Sequence, residues 1–79
     1  MHGTEYCHIL GGRIRIKVRA VKGSHAMAGE MESQLANLNG VAHVKANPRT
    51  GSVLVLFDTQ IVSHYQVFAV INDLNCLNV

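Results

Sequence analysis

Seven consecutive residues, Arg13-Ile14-Arg15-Ile16-Lys17-Val18-Arg19, alternate without a break between a cation and a β-branched apolar side chain. A period of two places every second residue on the same side of an extended strand. Any fold for this chain must therefore contain a sheet that buries Ile14, Ile16 and Val18. The opposite face of that sheet carries Arg13, Arg15, Lys17 and Arg19. A one-residue slip would bury four charges, so this register is strongly specified.

The remaining patterns supply the partners of that strand. Gly23 and Ser24 read as a loop. Met27, Met31, Leu35 and Leu38 then recur at helical spacing, with Ser24 as N-cap and Asn39-Gly40 as the stop. Val41 to Asn47 reads as a second strand, with Ala42, Val44 and Ala46 on one face and Val41, His43 and Lys45 on the other. The turn residues Asn47-Pro48-Arg49-Thr50-Gly51 lead into Ser52–Phe57, which is apolar on both faces as a central strand would be. Asp58 or Thr59 caps a second helix from Ile61 to about Asp73, and Cys76 to Val79 reads as a short last strand. The expected class is α+β: a ferredoxin-like split βαβ sandwich in the order βαββαβ, with a four-stranded antiparallel sheet and two helices on one face. Residues 1–11 read as an N-terminal arm and 12–79 as a single domain.

Size and composition narrow the function classes. With 79 residues there is room for one domain, which buries about 60% of its unfolded surface. Separate cofactor and substrate domains are not expected within it. At 48% hydrophobic and 15% charged, the chain is not of disordered composition. No apolar run approaches the roughly 18 residues of a membrane span. Met1 to Tyr6 lacks the basic flank and apolar stretch of a signal peptide. Cys7 and Cys76 are expected as reduced thiols in the cytoplasm. The net charge is only +2, yet five of the seven basic residues lie between Arg13 and Lys22. One surface is thus basic, which suits an anionic ligand or an acidic partner. Strand 1 offers no aromatic residue for stacking bases, and strand 3 offers only Phe57, so nucleic acid is not expected. The topology assembles no paired carboxylates, nucleotide loop or Ser/His/Asp set, so no catalysis is expected.

The stretch Gly23 to Asp58 resembles the heavy-metal-associated domain, a metal-chaperone module. The likeness is carried by Met31-Glu32-x-x-Leu35, Leu38-Asn39-Gly40-Val41, Val44-x-x-Asn47 and the hairpin Thr50-Gly51-Ser52-Val53-Leu54-Val55. That family holds soft metals on a Cys-x-x-Cys pair in the strand 1–helix 1 loop. Counted back from Met31, the two cysteine positions are Ser24 and Met27, so that chemistry does not transfer. The run His8-Ile9-Leu10-Gly11-Gly12-Arg13 is similar to a divergent branch that lacks the cysteines and has an N-terminal His followed by Gly-Arg. That branch occurs in metal-transporting P-type ATPases and in stand-alone proteins, some tied to iron handling and iron-storage compartments. The resemblance implies an iron or heme ligand and singles out His8.

The five histidines can be sorted by topology. His8, His43 and His64 belong to one end of the sheet, while His25 falls at the other, roughly 20 Å away for a strand of seven residues. Neutral imidazole is a common transition-metal ligand, and Cys7 beside His8 could add a thiolate. There is no Cys-Pro or Cys-x-x-Cys-His motif, so any heme would be heme b, bound non-covalently. Cations for its propionates are at hand in Arg13, Arg15, Lys17, Arg19 and Lys45. An apolar floor would come from Val53, Val55 and Phe57, or else from Leu54 and Leu56. The second axial ligand would be His43, His64 or His8 of a second copy. The sequence thus points to a heme- or iron-binding accessory protein with His8 as principal ligand. The competing reading is a homodimerising or docking module that acts with a metal-transporting ATPase or a compartment protein. A basic face beside apolar residues serves either one.

Overall fold

The computed structural model describes the backbone of residues 4–77 and the side chains of residues 11–75. β1 (Thr4–Leu10) and β2 (Arg13–Val18) are followed by α1 (His25–Ala36). β3 (Val41–Asn47), β4 (Ser52–Phe57) and α2 (His64–Leu77) complete the chain. The four strands form one antiparallel sheet in the order β1-β2-β4-β3. β2 and β3 each run antiparallel to β4, so they are parallel to each other, as the crossover through α1 requires.

The alternation of β2 is realised in full. Ile14, Ile16 and Val18 are buried, and Arg13 and Arg15 are exposed. Val53, Val55 and Phe57 of β4 join the same core, which leaves Leu54 and Leu56 half-exposed on the opposite face. Met31 and Leu35 of α1, with Val67, Ile71 and Leu74 of α2, cover the inner face. Both helices therefore lie on one side of the sheet, as expected.

Two expectations fail at the chain ends. The order is ββαββα rather than βαββαβ. Residues 4–10, expected as an arm, form the edge strand beside β2. Their β-formers Thr4, Tyr6 and Ile9 run into the two-residue turn Gly11-Gly12, which is a hairpin signal. At the other end, α2 continues through Cys76 and Leu77 instead of giving way to a strand, and Asn78 and Val79 lie outside the described residues. No Gly or Pro follows Gly51, and the apolar spacing Val67, Ile71, Leu74 is helical to the end.

A third correction lies in β3. Val41 pairs with Phe57 and His43 with Leu56, so two residues of β3 oppose one step of β4. This bulge turns Val41 toward the core and leaves Ala42 exposed, the reverse of strict alternation. One backbone donor of β3 is met from α1. The backbone N–H of Ala46 donates to Glu32 Oε2 on α1 at 2.8 Å, which blunts an edge open to further pairing.

Gly12 locks the β1–β2 hairpin onto the end of β4. It has φ +78°, and its carbonyl accepts from Phe57 N–H at 2.9 Å. A Cβ there would stand 2.7 Å from the Phe57 carbonyl oxygen. Gly29, by contrast, sits exposed inside α1, where an added methyl group would meet nothing within 4 Å. Two substitutions of the same chemistry should thus have opposite signs. Gly12→Ala should destabilise by about 1–3 kcal/mol, and Gly29→Ala should stabilise by about 0.5–1 kcal/mol. Urea denaturation checks both, and equal signs would refute the reading of the hairpin.

Candidate functional site

The open face of the sheet is built in rows by the strand register. Arg15 stands opposite Leu54, and Leu54 opposite Lys45. On the other side of Arg15, β1 brings His8 into the same row. The neighbouring row runs Leu10, Arg13, Leu56, His43. Each row therefore has a leucine at the centre of the sheet and basic residues to either side.

Arg13, Arg15, Lys45, Asn47, Ser52 and Leu54 line a shallow depression of about 310 Å³ on this face. Leu54 forms its apolar floor, and three cations with two neutral hydrogen-bonding side chains form its rim. β2, β3 and β4 contain no acidic residue, so nothing on those strands neutralises the rim. Arg19 does not belong to this depression. With Lys17, Lys22 and Thr50 it surrounds a second, water-sized hollow at the far end of β2. Asn47 and Ser52 escape a reading of the sequence because they flank the turn and resemble turn residues. Their direct pairing across β3 and β4 is what brings them to the rim.

The candidate ligands are spread over several elements. His8 lies on β1 opposite Arg15 and Cys7 opposite Ile16; their side chains fall outside the described part of the structure. His43 is exposed on β3. His64 opens α2, half-buried in an aromatic group: its ring centroid lies 4.2 Å from that of Tyr65 and 6.3 Å from that of Phe68, edge-on to the latter. His25 opens α1, at the other end of the sheet. Among the described residues no three His, Cys, Asp or Glu side chains come together as a metal site.

Ser24 at the end of the β2–α1 loop and Met27 in the first turn of α1 stand at the positions where the resemblance puts a cysteine pair. Ser24 Oγ accepts from the Met27 backbone N–H at 3.1 Å and caps α1. Met27 is half-buried and packs on the core. A hydroxyl committed to a helix cap and a thioether packed on the core do not fit a soft metal that wants thiolates. The first cysteine position has become a structural one.

The fold and part of the sequence are shared with known metal-handling proteins. A solved structure of a CopZ metallochaperone superposes with a TM-score of 0.70 at 26% identity, covering 77% of this chain and 90% of that one. A manganese-exporting P-type ATPase of Mycobacterium leprae (strain TN) is 36% identical over 61 residues. That match covers 77% of this chain and 8% of the ATPase, so the chain spans a small fraction of that relative's length. No helix among the described residues is long and apolar enough to cross a membrane.

Two variants test the reading of the loop. Ser24→Ala should lower stability by about 1 kcal/mol through the lost cap and leave metal content unchanged. Ser24→Cys with Met27→Cys should create a soft-metal site, seen as stoichiometric Cu(I) in a competition assay with a chromogenic chelator. Metal lost in the alanine variant would show that Ser24 is a ligand after all.

The sheet order, the helix layer and the loop at the position of a cysteine pair converge with the match of residues 4–79 to the Heavy metal associated domain 2 family, and the chain belongs to that family.

Proposed function

We propose that this chain is a non-catalytic accessory domain of metal handling that takes a heme or iron species, with His8 as principal ligand. The basic open face then neutralises the carboxylates of the ligand or meets an acidic partner. The observation that carries the reading is the row His8, Arg15, Leu54, Lys45. In it a transition-metal ligand type, two cations and an apolar floor share one line across the sheet. Heme b asks for that combination: imidazole for iron, cations for propionates and apolar surface for the ring. A bare divalent cation would instead meet Arg13, Arg15 and Lys45, which repel it.

Cys7 could add a thiolate to a directly bound iron or other transition-metal ion. His43 lies in the next row of the open face but on the opposite edge strand from His8, three strand spacings or about 14 Å away, so as second axial ligand it would have to reach across β2 and β4. His64 stands at the head of a helix on the covered side and is less suited. A second copy could supply its own His8 instead.

A second reading is favoured by one specific observation. The relative at 36% identity is a P-type ATPase of which this chain matches 8%. A domain of that kind could act by docking on a metal-transporting ATPase or a compartment protein, with no ligand of its own.

Titration with hemin, followed by absorption, separates the two. A saturable Soret band that is lost in His8→Ala supports heme ligation. A band that persists unchanged in His8→Ala refutes the His8 assignment. A featureless, linear titration refutes heme, and metal analysis of the purified protein then distinguishes direct iron binding from the docking reading.

A further inference from the structure

The open face is a sheet surface without its second layer. Both helices pack on the inner face, and no described element covers the outer one. A sheet is ordinarily completed by helices or by another sheet on its apolar side. Here the outer face keeps a partly apolar character at its centre, since Leu54 and Leu56 of β4 are only half-covered. On one side of this leucine stripe stand Arg13 and Arg15 of β2, and on the other His43 and Lys45 of β3.

We propose that this face docks an amphipathic α-helix whose apolar ridge lies along Leu54 and Leu56 and whose flanks are acidic. The dimensions agree. From β2 across β4 to β3 is two strand spacings, about 9.5 Å, and a helix with side chains is about 10–12 Å wide. Alternate residues along β2 are about 6.7 Å apart, close to the roughly 6 Å rise between positions i and i+4 of a helix. A row of Glu or Asp at that spacing would therefore meet Arg13 and Arg15 in succession. Arg guanidinium groups pair with carboxylates through two parallel hydrogen bonds, and their stems can lie along the leucines. Lys45 would hold the opposite flank. The depression over Leu54 is large enough to admit one apolar side chain from the ridge.

Charge selects this occupant over others. A second copy placed face to face would set Arg13, Arg15 and Lys45 against their own equivalents, with no acid on β2, β3 or β4 to relieve them. A nucleic acid would satisfy the cations but find no aromatic residue at an outward position of β2 or β4 and would leave the leucines unused. The inference rests on the proposal that the basic face serves a partner, and it is independent of any ligand on His8.

The experiment uses metal-free protein, both unaltered and as His8→Ala, so that failure of the heme reading leaves it untouched. The probe is a synthetic helix with a leucine ridge and glutamate flanks. A lysine-flanked counterpart and unstructured polyglutamate serve as comparisons. The glutamate helix should bind both proteins, move the amide resonances of β2, β3 and β4, and weaken as salt rises. Leu54→Ser should weaken binding by about tenfold, the scale of one central contact. Arg15→Glu with Lys45→Glu should transfer preference to the lysine-flanked helix, a reversal that mere loss of folding cannot produce. Equal affinity for polyglutamate, with Leu54→Ser silent, would overturn the proposal in favour of general anion attraction. Resonance shifts confined to α1 and α2 would also overturn it, as would self-association that excludes the peptide.

Discussion

The architecture depends on the burial of Ile14, Ile16 and Val18, three alternate residues of one strand, under two helices at once. Each is at most 1% exposed, and removing a side chain of that size from water is worth roughly 1.5–3 kcal/mol. Because β2 has β1 on one edge and β4 on the other, its register propagates in both directions. A slip of one residue would carry Arg13, Arg15 and Lys17 into the core and break both ladders. The same three apolar residues thus determine which side of the sheet is dry and which is basic. The basic face follows from the packing of the opposite face.

The fold is legible in the sequence wherever a period of two or of 3.6 persists. β2, α1, β4 and the core half of α2 fall where Ile14, Met31, Val53 and Val67 predict them. Legibility ends where the signal is local and short. Residues 1–11, Gly11-Gly12 included, read as a loose arm because the stretch mixes polar residues with two glycines, and the strand it forms is itself irregular between Thr4 and Cys7. A last strand at Cys76 to Val79 is what the expected topology asks for, while Cys76 and Leu77 continue α2. The bulge at Val41 to His43 has no local marker and arises from how β3 meets the end of β4. Of the candidate site, the cations of β2 are legible from alternation alone. Asn47 and Ser52 are not, because neighbours across a turn are related by register and not by sequence pattern.

The β2–α1 loop shows how a family frame is kept while its chemistry changes. Ser24 does two things there: it begins α1, and it stands where a thiolate would otherwise be. The hydroxyl is a strong helix cap, so this position supports the helix directly and needs no bound metal to order it. Basic character is concentrated instead on the sheet, on the side away from the helices. The chain retains the scaffold of the Heavy metal associated domain 2 family, with its cations gathered on the sheet face away from the helices.

The position of the fourth strand has a consequence for how the chain reaches its fold. In a βαββαβ chain the outer strand comes last and must return across the whole sequence to pair with the first. Here β1 meets β2 through the two-residue turn Gly11-Gly12, and β3 meets β4 through the turn at Pro48 to Gly51. Two of the three ladders are therefore hairpins between sequence neighbours, which close in about 1–10 μs. Only the β2–β4 ladder demands a long loop closure, and α1 lies within that loop. Shortening the sequence separation of contacts speeds folding, so moving one strand from the end of the chain to its beginning trades the costliest pairing for one of the quickest.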